Sequence, residues 1–229
     1  MMTSFKLAAL CGVMSLACAS ASAGPITLTF EGVGDQAAIN DFYNGGTDSM
    51  GNSGTNYGVS FSNTSLGIID ADAGGTGNIA NEPSPNTVLF FLDSSSATLN
   101  YAAGFTTGFS FYYTSSTAAT VNVWSGLNAT GDLLGQITVA AQFSDGCTGD
   151  PTGSFCNWTA AGVSFMGIAR SIDFGGTANQ TAYDNITFGS DKPGNPGVPE
   201  PASWALMLAG FGLVGGSLRR HAQAKVRFA

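Results

Sequence analysis

The side chains in this chain that are best suited to chemistry are carboxylates. The 229 residues include 15 aspartate and glutamate residues but only 7 lysine and arginine residues, and the net charge is −8. Between residues 24 and 198 the only basic residues are Arg170 and Lys192. Such an acidic surface repels phosphate backbones and argues against nucleic acid as a partner. It favours divalent cations, although the same charge also keeps a glycine-rich protein soluble.

Two of these carboxylates lie at opposite ends of the strand-rich segment. Glu31 ends the first segment of alternating apolar residues. Asp184 lies in the last one, where a period of two places it on the same face as Ile186 and Phe188. A carboxylate on an apolar face costs free energy unless it is paired or bound to a metal. We therefore predict structural Ca²⁺ at Glu31 and Asp184, completed by Asp41 and backbone carbonyls, unless Asp184 only caps a turn.

The order of these residues resembles that in carbohydrate-binding jelly-roll modules. The segment 29–31 reads Thr-Phe-Glu and the segment 183–186 reads Tyr-Asp-Asn-Ile. In many such modules the first and last strands lie close together, and an early glutamate and a late aspartate bind calcium. The resemblance implies the same neighbouring strands and the same ligands here.

The chain lacks residues that several classes of enzyme need. A Ser-His-Asp or Cys-His hydrolase needs a histidine base, and the only histidine is His221, near the C-terminus. No phosphate-binding loop of the Gly-x-x-x-x-Gly-Lys-Ser/Thr type occurs. A glycosidase needs only two carboxylates, so a glycan-active hydrolase or lyase that uses Glu31 and an aspartate remains the alternative to a non-enzymatic function.

Two cysteines remain after the N-terminal segment is set aside. Cys147 and Cys156 are the only cysteines in the body of the chain, and a pair of cysteines in an exported protein typically forms a disulfide. The competing interpretation, two free thiols or half of a metal site, lacks histidine or further cysteine ligands in this part of the sequence.

Four aromatic residues lie off the main apolar pattern or beside loops. Aromatic rings at such positions can stack on sugar rings, and we identify Trp124 and Trp158, with Tyr43 and Tyr112, as candidate glycan contacts. The alternative for each is packing in the core or at its rim.

The elements that must position these residues are strands. Short segments with a two-residue apolar period recur from Ile26 to Phe188, separated by Gly- and Asn-rich turns, and no long helical pattern interrupts them. We predict an all-β, antiparallel jelly-roll β-sandwich over residues 24–190. A linker rich in proline and glycine follows over residues 191–198.

The N-terminus has the pattern of a secretory signal peptide over residues 1–23. Lys6 precedes an apolar stretch, which is followed by a site with small residues. We predict cleavage between Ala23 and Gly24. The stretch is too short to span a bilayer comfortably, which favours a removed signal helix over an anchor.

The C-terminus has three parts that together are highly specific. Pro199-Glu200-Pro201 is followed by Trp204, then by an apolar run, and then by the basic pair Arg219 and Arg220. We predict a transmembrane helix over about residues 202–218. This layout over residues 199–229 resembles the PEP-CTERM sorting signal of Gram-negative bacteria. The resemblance implies transient residence in the inner membrane, removal of the tail by an exosortase, and a final place at the cell surface or in the extracellular matrix.

Combining these features, we predict an exported, non-enzymatic protein that is associated with exopolysaccharide or binds glycan, with calcium as a structural cofactor. The alternatives are the glycan-active enzyme and a purely structural matrix protein. An aromatic-lined groove would favour glycan binding, and convergent carboxylates within it would favour the enzyme.

Overall fold

The computed structural model describes residues 25–93, 96–142, 147–150 and 152–194, together with Met207 and Phe211. These residues form an all-β, antiparallel structure, as the alternation predicts. The strands are β1 (Ile26–Leu28), β2 (Val59–Phe61), β3 (Leu66–Ile69), β4 (Thr87–Phe90), β5 (Ser96–Ser115), β6 (Ala119–Trp124), β7 (Leu133–Val139), β8 (Thr159–Gly175) and β9 (Thr181–Phe188).

The nine strands belong to one hydrogen-bonded sheet. Their order is β3-β4-β9-β5-β8-β6-β7, with β1 also paired to β9 and β2 also paired to β5. Strands β5 and β8 are exceptionally long, at 20 and 17 residues. Strand β8 joins two segments that the sequence pattern separates, 163–165 and 168–174, because pairing with β5 continues through both.

Strands β5 and β8 change partners along their length. Residues 99–101 of β5 pair with β2, whereas residues 109–115 pair with β9. The register of β5 against β8 shifts twice between Asn100 and Thr107. Gly104 lies in this stretch with a φ of 76°, and a Cβ there would come within 2.4 Å of the Ile168 side chain. Only glycine suits this combination of a left-handed backbone and a close strand.

The change of partners divides the sheet into two layers. The first layer contains β1, β3, β4 and β9, together with residues 105–115 of β5 and 159–165 of β8. The second layer contains β2, β6 and β7, together with the rest of β5 and of β8. Phe174 of the second layer lies 5.9 Å from Phe109 and 5.0 Å from Tyr183, both of the first layer, between ring centroids. The main core therefore lies between the layers. The jelly-roll connectivity stays a prediction.

A second, smaller core covers the outer face of the first layer. Val88, Phe90 and Ala182 point away from the main core and pack against Ile79 and Phe155 from two loops. The segment that includes Phe155 begins near Cys147, whose Cα atom lies 5.7 Å from that of Cys156. This spacing lies in the range that a disulfide needs.

Residues 189–194, here called the strap, lie across the same outer face. Cβ atoms at Gly108 and Gly162 would come within 2.6 and 2.1 Å of Asp191, so the strap crosses the sheet where both strands lack side chains. Ser110 donates a hydrogen bond to the Ser190 carbonyl, and the Gly194 amide donates one to Thr187 Oγ1. The described part of the predicted linker therefore lies against the sheet, because its backbone finds partners there.

The sequence pattern misses β3 (Leu66–Ile69), because Gly67 interrupts its alternation. The expected signal helix lies outside the described residues, as does the hydrophobic C-terminal helix apart from Met207 and Phe211, which are helical. In the part of the chain that the structure describes, no helix is long and apolar enough to cross a membrane. The domain boundaries remain predictions.

We expect Cys147 and Cys156 to be bonded in the exported protein. The intact mass should rise by that of two hydrogen atoms on reduction, and replacing both cysteines with serine should lower the free energy of unfolding by about 2–3 kcal/mol, as closure of a short loop implies. Two thiols that react with an alkylating agent before reduction would contradict the bond.

Candidate functional site

Asp184 does not lie on the face that the sequence pattern assigns to it. Tyr183 and Ile186 both belong to the main core, although they are three residues apart. Asn185 has a φ of 48°, and the pairing of β5 with β9 shifts register at this point. This bulge resets the alternation, so Asp184 faces the loop between β3 and β4, which covers the first layer. The prediction that Asp184 shares a face with Ile186 is therefore wrong.

The Asp184 carboxylate is completely buried and is held by Ser84. The Ser84 hydroxyl lies 2.7 Å from Asp184 Oδ1, and the Ser84 amide donates to Oδ2 at 2.8 Å. The Asn185 amide donates to Oδ1 at 2.7 Å. Burial raises the pKa of Asp184 to about 7 even though these hydrogen bonds oppose the rise. The structure thus provides Asp184 with hydrogen-bond donors on both oxygens.

The other two predicted calcium ligands have separate surroundings. Glu31 Oε1 accepts a hydrogen bond from the Thr87 amide, and burial raises its pKa. Asp41 is exposed and accepts a hydrogen bond from Asn44. Among the described residues, no group of three or more histidine, cysteine, aspartate or glutamate side chains is arranged to hold a metal ion. The three carboxylates do not form such a group, and structural calcium stays a prediction.

Glu82 is a further acid, half-buried, in the loop between β3 and β4. Burial, reinforced by the charges of Asp70, Asp150 and Glu31, raises its pKa to about 7. Its Oε1 atom is buried and has no hydrogen-bond partner in the described structure. Because Asp184 is 0% exposed, it cannot serve with Glu31 or Glu82 as the second carboxylate of a glycosidase in this conformation.

The structure separates the four aromatic candidates. Tyr43 is only 5% exposed, belongs to the main core and accepts a hydrogen bond from the Phe30 amide, so the alternative of core packing applies to it. Trp158 packs against the second core and donates to the Ala80 carbonyl. Tyr112 is half-buried on the covered outer side of the first layer. Trp124 lies on the outer side of the second layer, in β6.

The outer side of the second layer, here called the open face, carries rows of polar residues. Adjacent strands place Asp173 beside Asn122, with Thr98 and Gln136 on either side. These four residues form one continuous row across β5, β8, β6 and β7. Trp124 lies on the same face, two residues beyond Asn122 and so about 7 Å along the strand. The row therefore combines hydrogen-bonding groups with a nearby aromatic ring.

A groove of about 490 Å³ opens on this face. Gly175 contributes no side chain, and a Cβ there would meet the Thr120 carbonyl at 2.6 Å, so this part of the groove stays clear. Polar residues of the strands and the adjoining turn supply most of its lining: Ser96, Thr120, Asn122, Thr138, Asp173 and Thr177. The groove is accordingly open and polar, in contrast to the covered outer side of the first layer.

The groove residues have hydrogen-bonding capacity to spare. Asn122 Oδ1 accepts a bond from Gln136 Nε2, and no described residue accepts one from the Asn122 amide nitrogen. The Thr120 and Thr138 hydroxyls form no hydrogen bond within the described structure. Burial raises the pKa of Asp173, although a hydrogen bond with Ser96 opposes this. A ligand in the groove would therefore meet both donors and acceptors.

Comparison with protein families matches residues 197–220 to the PEP-CTERM protein-sorting motif. The chain carries a PEP-CTERM sorting motif. This motif indicates export to the cell envelope or surface and implies processing by an exosortase. Its residues Pro199, Glu200, Pro201, Trp204, Arg219 and Arg220 lie outside the described structure, as do Ala23 and Gly24 of the predicted signal cleavage site.

A search of the curated proteins finds no match. Among solved structures, a carbohydrate-binding module of Cellvibrio mixtus lichenase 5A in complex with cellotriose shares 11% identity, with a TM-score of 0.33, over 56% of this chain and 87% of the module. A β-1,3-glucan-binding module of Bacillus halodurans shares 14% identity, with a TM-score of 0.33, over 56% and 87%.

A family 43 arabinoxylan arabinofuranohydrolase of Bacillus subtilis, in complex with cellotetraose, shares 17% identity with a TM-score of 0.36. That match covers 58% of this chain and 27% of the enzyme. Likenesses at these TM-scores are too distant to assign a function to this chain.

We predict that Ser84→Ala lowers the free energy of unfolding by about 1.5–3 kcal/mol, because it removes a hydrogen bond to a buried carboxyl group. Chemical denaturation in urea measures this change. Ser53→Ala is the matched control, since Ser53 is exposed and its truncation should change stability by less than about 0.5 kcal/mol. Equal effects of the two substitutions would show that Ser84 does not support Asp184.

Proposed function

We propose that this protein is exported to the surface or extracellular matrix of a Gram-negative bacterium, where its β-domain binds polysaccharide without catalysis. The observation that carries the proposal is the open, polar groove on the second layer. The sorting motif supports the proposed location, and the groove supports the proposed binding of polysaccharide.

The chemistry of the groove suits a ligand rich in hydroxyl groups. A sugar hydroxyl both donates and accepts hydrogen bonds, so it needs partners of both kinds. Asp173 offers only acceptors when it is ionised, the Asn122 amide nitrogen offers donors, and the Thr120 and Thr138 hydroxyls offer either. Trp124, farther along the same face, offers an apolar surface of the kind on which a sugar ring can stack.

The contrast between the two outer faces supports the same site. On the first layer, the second core and the strap occupy the sheet surface. On the second layer, the side chains of Asn122, Asp173 and Thr138 remain at least partly exposed. A sheet face with this hydrogen-bonding capacity can bind an extended polar ligand that lies across the strands.

The strap determines how the β-domain is presented. It crosses the outer side of the first layer at Gly108 and Gly162, while the groove lies on the outer side of the second layer. The chain therefore leaves the domain on the side opposite the groove. In a precursor that is still held in the inner membrane by its tail, the groove would point away from the attachment point.

The enzymatic alternative has less support from the geometry. The groove is lined by a single carboxylate, Asp173, among the described residues. The acids with the most strongly raised pKa values, Glu82 and Asp184, belong to the covered side of the first layer. A glycosidase needs two carboxyl groups on either side of the bond that it cleaves.

Asn122→Ala should weaken binding to a neutral polysaccharide by about tenfold or more, because it removes hydrogen bonds worth more than about 1 kcal/mol. Affinity electrophoresis against glucomannan, galactomannan, mixed-linkage β-glucan and pullulan measures the effect. Asn157→Ala is the matched control, since Asn157 is exposed and adjoins Trp158, which packs on the covered side of the first layer. A folded wild-type protein that binds none of these polymers would favour the purely structural role.

For sorting, replacing Pro199-Glu200-Pro201 with alanines should leave the full-length precursor in the inner membrane, because the exosortase loses its recognition segment. Fractionation followed by peptide mapping of the wild-type and variant proteins tests this expectation. The wild-type surface protein should lack the region 219–229. Recovery of that region from the matrix fraction of wild-type cells would show that the tail is not removed.

A further inference from the structure

The charged residues of the open face restrict the charge of the ligand that it can bind. This inference rests on the proposed function. Asp173 is the only titratable residue among the described groove-lining residues. It stands in the middle of the polar row, with Thr98 on one side and Asn122 on the other. Any glycan that lies across the row must therefore pass a carboxylate.

Neither basic residue of the described structure lines the groove. Arg170 lies at the bend of β8, where its Nε donates to the Ala102 carbonyl. Lys192 belongs to the strap, on the outer side of the first layer. An acidic group of a ligand would find no cation in the groove, and the negative net charge of the protein would add to the repulsion.

Asp173 attracts neutral hydroxyl groups, whereas it repels acidic ones. A carboxylate accepts hydrogen bonds from hydroxyl donors, and such charge-assisted bonds are about twice as strong as neutral ones. Partial burial strengthens them further, because competing water is reduced and the local dielectric is lower. The same residue therefore attracts an uncharged sugar and opposes a uronic acid, a sulfate or a phosphate.

We propose that the groove selects uncharged polysaccharide and rejects polysaccharide that carries carboxylate, sulfate or phosphate groups, and that Asp173 makes both selections. Asn122 and the threonine hydroxyls then serve as the neutral part of the site. The ligand class is an uncharged polysaccharide rather than an acidic exopolysaccharide.

The experiment compares one polymer in two charge states. The neutral polymer that binds most tightly among glucomannan, galactomannan, mixed-linkage β-glucan and pullulan is used unmodified and after oxidation of its primary hydroxyls to carboxylates. The backbone is thus the same in both arms. Dissociation constants are measured by isothermal titration calorimetry at low and at physiological salt, with Asp173→Asn and the exposed control Asp72→Asn alongside the wild type.

For the wild type, oxidation should weaken binding at least tenfold, and added salt should reduce this difference because it screens the repulsion. Asp173→Asn should weaken binding of the neutral polymer by about tenfold and bring the two dissociation constants closer together. Asp72→Asn should match the wild type in both arms. Circular dichroism melting curves establish that the variants remain folded.

Two results would overturn the inference while leaving glycan binding intact. One is equal or tighter binding of the oxidised polymer by the wild type, and the other is an Asp173→Asn variant that keeps the full preference of the wild type. Failure of the wild type to bind any of the four polymers, in the neutral or the oxidised form, would instead remove the proposed function, and the inference with it.

Discussion

The structure depends on the passage of β5 and β8 through both layers. Because these two strands pair with each other on either side of the bend, one continuous sheet supplies both walls of the core. Gly104 permits the bend by bringing β5 against Ile168 in a conformation that a larger residue resists. Aromatic rings such as Phe109 and Phe174 then meet across the two layers and exclude water.

A sheet that folds over in this way has two outer faces, and this protein uses them differently. The first layer's outer face is closed by the second core, by the strap and by the loop that Ser84 ties to Asp184. Burying Asp184 costs free energy, which its three donor groups offset. Among the residues that the structure describes, nothing comparable covers the groove on the second layer's outer face, so its polar rows are open to a ligand.

The sequence predicts the strands well but predicts the site poorly, for physical reasons. Alternation of apolar residues identifies most strands and the all-β class. It assigns Asp184 to the wrong face because a single bulge at Asn185 reverses the alternation. Asp173, Asn122 and Gln136 come together only through the register of three strands, and each alone looks like an ordinary solvent-facing residue. Trp124 is the one member of the open face that sequence analysis identifies as a candidate, because aromatic residues off the apolar pattern are conspicuous.

The most direct test of this account is a titration of ¹⁵N-labelled protein, residues 24–194, with a short oligosaccharide of the neutral polymer that it binds. Amide chemical shifts report which residues sense the ligand. The account predicts that the largest changes occur at Thr120, Asn122, Thr138 and Asp173, which line the groove, while the strap amides of residues 189–194 stay unchanged. Changes concentrated at the strap or around Asp184, with the open face unaffected, would contradict it.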